Sequence, residues 1–383
     1  MFRVCFGPDH GFNLKASARE NMALSNSTSL QPGGPGSPAV SIVIPIKGRI
    51  DLFRDTVASL QRQTFYDWEC IIVDDGSTAR ERSALAELIH RDQRFVLMDN
   101  PGPRRGASAA RNAGFRASRG RYVIFVDSDD ALAPCCLENR VQVMDEDPTL
   151  DYAAFVTWVF HAKPGDSQKV WNADPRAPHL QRFIEGDSVW HTSGPIWRRH
   201  AFEKLGGWDD RAASWQDWEF HVRATAANLR CRFIVEADSY WRATREGAMT
   251  KSSELPRKII NRARLFSRVA ATLKTHPLWP ELRDLMAAHY LTHAFKNRLP
   301  RQRKFCIWNR ARRDGVVSGF TYWTVIALEA LGWVVGRVVW KAERKLLGAA
   351  DPLPGPRWKP FHPAHRVTTR ENAVTAEHRP ALR

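Results

Sequence analysis

Trp68 to Thr78 reads WECIIVDDGST, an apolar run that passes straight into two aspartates, a glycine and a serine. A run rich in Ile and Val, bounded by turn formers, is a strand buried on both faces, and such strands belong to parallel sheets. Two more runs have the same form. Val40 to Pro45 (VSIVIP) stops at a proline, and Tyr122 to Val126 (YVIFV) stops at Asp127-Ser128-Asp129-Asp130. Phe95 to Met98 is a shorter fourth. Between them, 51–63, 79–90 and 107–117 read as helices. In the first, Leu52, Phe53, Val57 and Leu60 recur at helical spacing, and Asp51 is placed to cap its start. Strands alternating with helices of this length predict an α/β fold built on a doubly wound, mostly parallel sheet. Ligands of such sheets bind beyond the carboxyl ends of the strands, and 74–75 and 127–130 both fall there.

The remaining composition sets the frame. The chain has 383 residues, 43% of them hydrophobic and 26% charged, enough for a catalytic domain and an appendage. Residues 1–39 form a flexible leader, its later half rich in Ser, Asn, Gly and Pro. A domain over 40–250, a helical basic region over 251–350 and a disordered tail over 351–383 complete the expected organisation. The net charge is +16; from Leu255 on there are 25 Lys/Arg against 8 Asp/Glu, so the whole excess lies in the C-terminal third. That distribution fits an anionic partner or a solvated helical face. Six cysteines without a C-x-x-C pair point to a reducing compartment. Met1 to Arg19 lacks the apolar core of a signal peptide, which points to a cytoplasmic location. Neither G-x-G-x-x-G nor G-K-[ST] occurs, which argues against dinucleotide and Walker-type sites.

Carboxylates in D-x-D spacing on a turn, with a third adjacent, repel one another unless a cation or donors compensate. Oxygen ligands of this kind suit Mn²⁺ or Mg²⁺, which then bridges phosphate oxygens. The plainer alternative is a helix cap, with Asp129 or Asp130 opening a helix at Ala131. His289 and His293 have the spacing of a helical metal pair but no adjacent third ligand, and read as surface or packing histidines.

Five segments taken in order decide between these readings. The opening strand with Pro45, DLFRDTVASLQRQTF from Asp51, WECIIVDDGST from Trp68, GASAARNAG from Gly106 and YVIFVDSDD from Tyr122 together resemble the family 2 glycosyltransferases of GT-A fold. The resemblance implies an inverting enzyme that moves a sugar from a nucleotide-sugar donor, UDP-linked by expectation, to a hydroxyl of a glycan or lipid-linked acceptor. It places Asp75 at the nucleobase edge with Asp74 beside it, Arg111 and Asn112 near the donor, Asp127 on ribose or metal, and Asp129 on the metal. Pro45 and Arg242 complete the implied donor-binding set. Further on, EKLGGWDDRAASWQDWE resembles the segment that carries the general base, here Asp217, with Gln216 where the family has Glu. Asp217 as a helix cap is the plainer reading of that position. Arg242 matches a later Arg-x-His element, but Thr244 stands where the histidine is usual; Lys47-Gly48 departs from the usual Tyr-Asn. These departures keep a second reading open, a nucleotide-sugar-binding module without activity.

Residues 316–340 (VVSGFTYWTVIALEALGWVVGRVVW) are the most apolar stretch, interrupted by Glu329 and Arg337, preceded by Arg310, Arg312 and Arg313 and followed by Lys341, Arg344 and Lys345. Two environments suit them: a helix lying in an anionic membrane interface, which would make the protein peripheral at the inner face of the cytoplasmic membrane, or a core helix of a small subdomain. A nucleic-acid partner for the basic tail has no motif behind it and is not expected.

Overall fold

In the computed structural model the described residues are 36–243, 256–296, 299–330 and 359–360. The first part alternates as the apolar runs predict: β1 (Val40–Ile46), α1 (Ile50–Gln61), β2 (Trp68–Asp74), α2 (Ala79–Ile89), β3 (Phe95–Asp99), α3 (Ala107–Ala117) and β4 (Tyr122–Phe125). Strands β3, β2, β1 and β4 lie side by side and parallel, with Ile44 opposite Ile72 and Ile46 opposite Asp74. β2 is buried along its whole length, as its unbroken apolar run requires. α2 begins at a capping box: Glu81 N donates to Thr78 Oγ1 (3.3 Å) and Thr78 N donates to Glu81 Oε2 (2.7 Å).

Two expectations change. Asp51 lies inside the first turn of α1, and the capping position is Arg49 in the left-handed region (φ 57°), with no side-chain cap. Asp51 there favours the helix through its dipole instead. No helix opens at Ala131. Ala131–Leu132 is the short strand β5, and the next helix, α4 (Cys136–Glu146), starts five residues later. Capping therefore does not explain the 127–130 carboxylates.

The second part widens the sheet with β6 (Tyr152–Phe160), β7 (Lys169–Val170), β8 (Pro195–Arg198) and β9 (Cys231–Arg242), separated by α5 (His179–Ile184), α6 (Arg199–Lys204) and α7 (Gln216–Ala226). β8 joins β4 antiparallel, which ends the parallel wing, and β9 runs parallel to β6. Lys359–Pro360 (β10), in the stretch that composition reads as a disordered tail, pairs with β7. The remainder of 351–383 lies outside the described residues, as do the leader up to residue 35 and Thr244.

Helices α8 (Pro256–Leu273), α9 (Trp279–Leu291), α10 (Arg301–Arg313) and α11 (Gly319–Ala330) follow, with a π-helical turn at Thr292–Lys296 after α9. They share one apolar core with the sheet face under α7, running from Phe125, Phe202 and Trp208 through Trp218 to Phe266, Tyr290 and Trp308. His289 and His293 are buried in it against Trp215 and Phe266. They are packing histidines and not surface ones, and burial pushes the His289 imidazole down to about 4.

Candidate active site

The carboxyl ends of β1, β2 and β4 form one rim. At β2 the chain turns through Gly76 (φ 101°), and Asp74 holds the turn: its Oδ1 accepts from Ser77 Oγ (2.7 Å), Ser77 N (2.9 Å) and Gly76 N (3.2 Å). Burial works against the Asp74 charge, but these bonds and Arg82 outweigh it and hold the carboxyl below its ordinary range. Asp75 is also engaged on both oxygens, accepting from Asn100 Nδ2 (2.8 Å) and Gly106 N (2.7 Å). It ties the end of β2 to the start of α3. Pro45 is half-buried one strand over, opposite Val73.

The loop after β1 joins both acidic turns. Gly48 N donates to Ser77 Oγ (2.9 Å), and Arg49 Nη1 donates to Asp129 Oδ2 (3.0 Å). Arg49 received no role from the sequence, yet its guanidinium pairs with the carboxylate expected to hold the metal.

The 127–130 turn concentrates negative charge, and cationic side chains partly offset it. Arg111 donates to Asp127 and lies 4.6 Å from the centroid of the Trp208 ring. The Arg111 side chain is 3% exposed, and its Nε and Nη1 have no hydrogen-bond partner among the described residues. Buried donors of that kind are costly unless a ligand satisfies them. Asp130 is fully buried, accepting from Ser193 Oγ (2.7 Å) and Arg242 N (3.2 Å). Arg242 holds the same turn from outside, donating to the Asp129 carbonyl (3.0 Å) and to Asp55 Oδ2 (2.6 Å).

His191 completes the group. It lies with Nδ1 3.6 Å from Asp130 Oδ2, packed edge-on against Trp171. Asp127, Asp130 and His191 offer ligand atoms within 4.8 Å of one another. Charge is unevenly compensated across the turn. Burial would raise Asp127, but Arg111 and His191 hold it low; burial and the Asp127 charge raise Asp129, and burial with both neighbours raises Asp130 further. Sequence reasoning missed His191 because it sits in an irregular loop before β8, with no periodicity and no motif to mark it.

The other side of the rim carries Asp217, in the first turn of α7 after Trp215 at φ 60°. It is half-exposed and, among the described residues, accepts no hydrogen bond and forms no ion pair. Its acidic neighbours are both committed: Asp209 pairs with Arg211 and Arg268, and Glu219 with Arg223. Asp217 does not cap α7, whose capping residue Trp215 has no side-chain bond. Burial pushes the His191 imidazole down, and the Asp127 and Asp217 charges partly offset it. The Asn112 amide makes reciprocal bonds with the Trp208 backbone, Nδ2 to carbonyl at 2.8 Å and Oδ1 from N–H at 2.9 Å.

A mostly parallel sheet whose carboxyl rim gathers a D-x-D turn and a separate free carboxylate has the GT-A type of glycosyltransferase fold. Residues 41–206 match the model of glycosyl transferase family 2. Among curated relatives, an uncharacterized glycosyltransferase EpsJ of Bacillus subtilis is 27% identical over 210 residues, covering 52% of this chain and 59% of the relative. TuaG of the same organism, named for teichuronic acid biosynthesis, is 38% identical over 112 residues, covering 28% of this chain and 43% of its own length. The chain spans about half the length of the curated relatives it matches. Among solved structures, residues 1–349 of S. aureus TarS in complex with UDP-GlcNAc share the fold with a TM-score of 0.54 and 18% identity, over 71% of this chain and 79% of that one.

Proposed function

We propose that the protein is an inverting glycosyltransferase that moves a sugar from a nucleotide-sugar donor, UDP-linked, to a hydroxyl of a glycan or lipid-linked acceptor. The observation that carries this reading is the pairing of the acidic turn at 127–130 with Asp217 on the same rim, a carboxylate without an ion pair among the described residues. The donor diphosphate would lie at the turn, where the unpartnered Nε and Nη1 of Arg111 await acceptors. Asp217 would take the proton of the acceptor hydroxyl as its oxygen attacks the anomeric carbon. The bond from that carbon to the diphosphate breaks, and the nucleoside diphosphate departs with the electron pair. TarS, whose structure holds UDP-GlcNAc, and TuaG, named for a surface polysaccharide, support this choice of donor and acceptor class.

The donor set also fits a hard divalent ion, Mn²⁺ or Mg²⁺: Asp127 and Asp129 offer carboxylate oxygens on one turn, and Asp130 and His191 lie within ligand distance of Asp127. Asp127 and Asp129 would hold it, because their side chains are 32% and 20% exposed whereas Asp130 is closed off at 0%. Bound there, the ion would neutralise charge on the leaving diphosphate. Asp130 and His191 would stand behind as the turn's support.

Calorimetry with UDP, with and without Mn²⁺, tests the ligand assignment. Asp129→Asn should weaken the Mn²⁺-dependent affinity by roughly tenfold or more, the scale of a lost charged ligand, whereas His191→Gln should change it less. The reverse order would move the ion to the buried side of the turn. Hydrolysis of a panel of nucleotide sugars identifies the donor, and no turnover of any of them would remove the enzymatic reading.

A further inference from the structure

Helices α10 and α11 leave two large aromatic side chains in solvent. Phe320 is 81% exposed and Trp323 60%. They lie three residues apart on α11, with Ala327 exposed four residues on, so the three share one stripe of the helix. The other side of α11 is packed. Val325 is buried, and the Tyr322 ring stacks parallel to Trp308, whose Nε1 donates to the Tyr322 carbonyl (3.2 Å). α11 is thus held in one orientation that points the stripe outward.

Cationic side chains frame the stripe. Arg312 and Arg313 end α10 exposed, and the Arg312 guanidinium lies 6.0 Å from the Trp323 ring centroid and 5.0 Å from that of Tyr322. Residues 299–327 contain six Lys/Arg and one acid, Asp314. That acid faces inward, accepting from Ser267 Oγ and Tyr290 Oη, each at 2.6 Å. Over residues 299–327 the outer edge of these two helices therefore presents aromatic rings beside positive charge with no outward carboxylate among the described side chains, and the one further acid of α11, Glu329, comes at its end.

We propose that this edge docks on an anionic lipid bilayer. Trp is favoured at the boundary between headgroups and acyl chains, where its apolar body and its N–H are both satisfied. Phe320 and Trp323 would enter that boundary while Arg312 and Arg313 meet lipid phosphates, the pattern of a helix that lies on a membrane without crossing it. None of the described helices is long and apolar enough to cross one. Nucleic acid would use the arginines but offers no apolar layer for a Phe–Trp–Ala stripe, so the bilayer is the better complement.

Flotation of the full chain with vesicles decides it. Vesicles of equal parts phosphatidylglycerol and phosphatidylcholine should carry the protein, and pure phosphatidylcholine should carry far less. The double variant Phe320→Ser, Trp323→Ser should lose binding by roughly tenfold or more. Both residues are exposed, so UDP affinity and melting temperature should stay at wild-type values and show that the variant is folded. Equal flotation of wild type and variant, or no flotation of wild type, overturns the proposal. So does a dimer that the variant abolishes while vesicle binding persists, which would assign the stripe to a second copy of this chain.

Discussion

Asp217→Asn should leave UDP affinity close to wild type while sugar transfer falls roughly a hundredfold or more, the usual scale for a lost general base. The separation of the two readouts is the informative part. A base that acts only in the chemical step contributes little to ground-state binding of the donor. The structure strengthens the choice of residue, because Asp209 and Glu219 are tied up by Arg211, Arg268 and Arg223, whereas Asp217 has no such partner among the described residues. Asparagine keeps the shape of the side chain and its place in the first turn of α7, so folding should be unchanged. Single-turnover transfer and calorimetry on the same preparation make the comparison. Transfer at the wild-type rate would remove Asp217 from the mechanism.

The second large effect is on stability. Arg140 and Asp238 form a two-pronged ion pair in the interior, Nε to Oδ2 at 2.7 Å and Nη2 to Oδ1 at 2.6 Å, with 0% and 5% of the side chains exposed. Removing one partner leaves an unpaired buried charge, and Asp238→Ala should cost about 3–5 kcal/mol. The pair also supports the site, since Arg140 Nη1 donates to the Ser193 carbonyl (2.8 Å) and the Ser193 hydroxyl donates to Asp130. Donor binding should therefore weaken in the same variant at temperatures where it is still folded. Denaturant unfolding measures the first effect. A loss below about 1 kcal/mol, the scale of a solvated surface pair, would mean that water reaches the buried guanidinium.

The first four strands and three helices were legible because local pattern and tertiary role coincide there. β2 is buried on both faces, so its residues are apolar without interruption, and the turn after it needs the Gly and Ser that mark its end. Legibility falls after Asp151, where β6, β8 and β9 combine parallel and antiparallel pairing and β9 shifts register against β6 between Phe155 and Thr157. Tertiary contacts shape that half. The candidate site divides the same way. Asp127, Asp129 and Asp217 stand in motifs, whereas His191, Arg49 and Thr56, which donates to the Asp130 carbonyl (2.6 Å), reach the turn only through folding. Asp75, Asn112 and Arg242 lie where the motifs indicated but spend their polar groups on the protein's own backbone and side chains.

The packing of Phe266 and His289 onto Trp215 and Trp218 sets where the chain may be cut. Trp218 follows directly after the proposed base, and its indole N–H is fastened to the Phe183 carbonyl (2.7 Å) on one side while α8 and α9 cover it on the other. A fragment ending at residue 243 would keep every residue of the family match and every proposed ligand, yet open the apolar wall behind Asp217 to water. Such a fragment should be recovered as aggregate, or as monomer without measurable transfer, whereas one ending after Ala330 should elute as a folded species on size exclusion. An active, monodisperse fragment 36–243 would show that the helices are an accessory. The helical extension is otherwise the apolar backing of the α7 start, since Phe266 and His289 pack directly on Trp218.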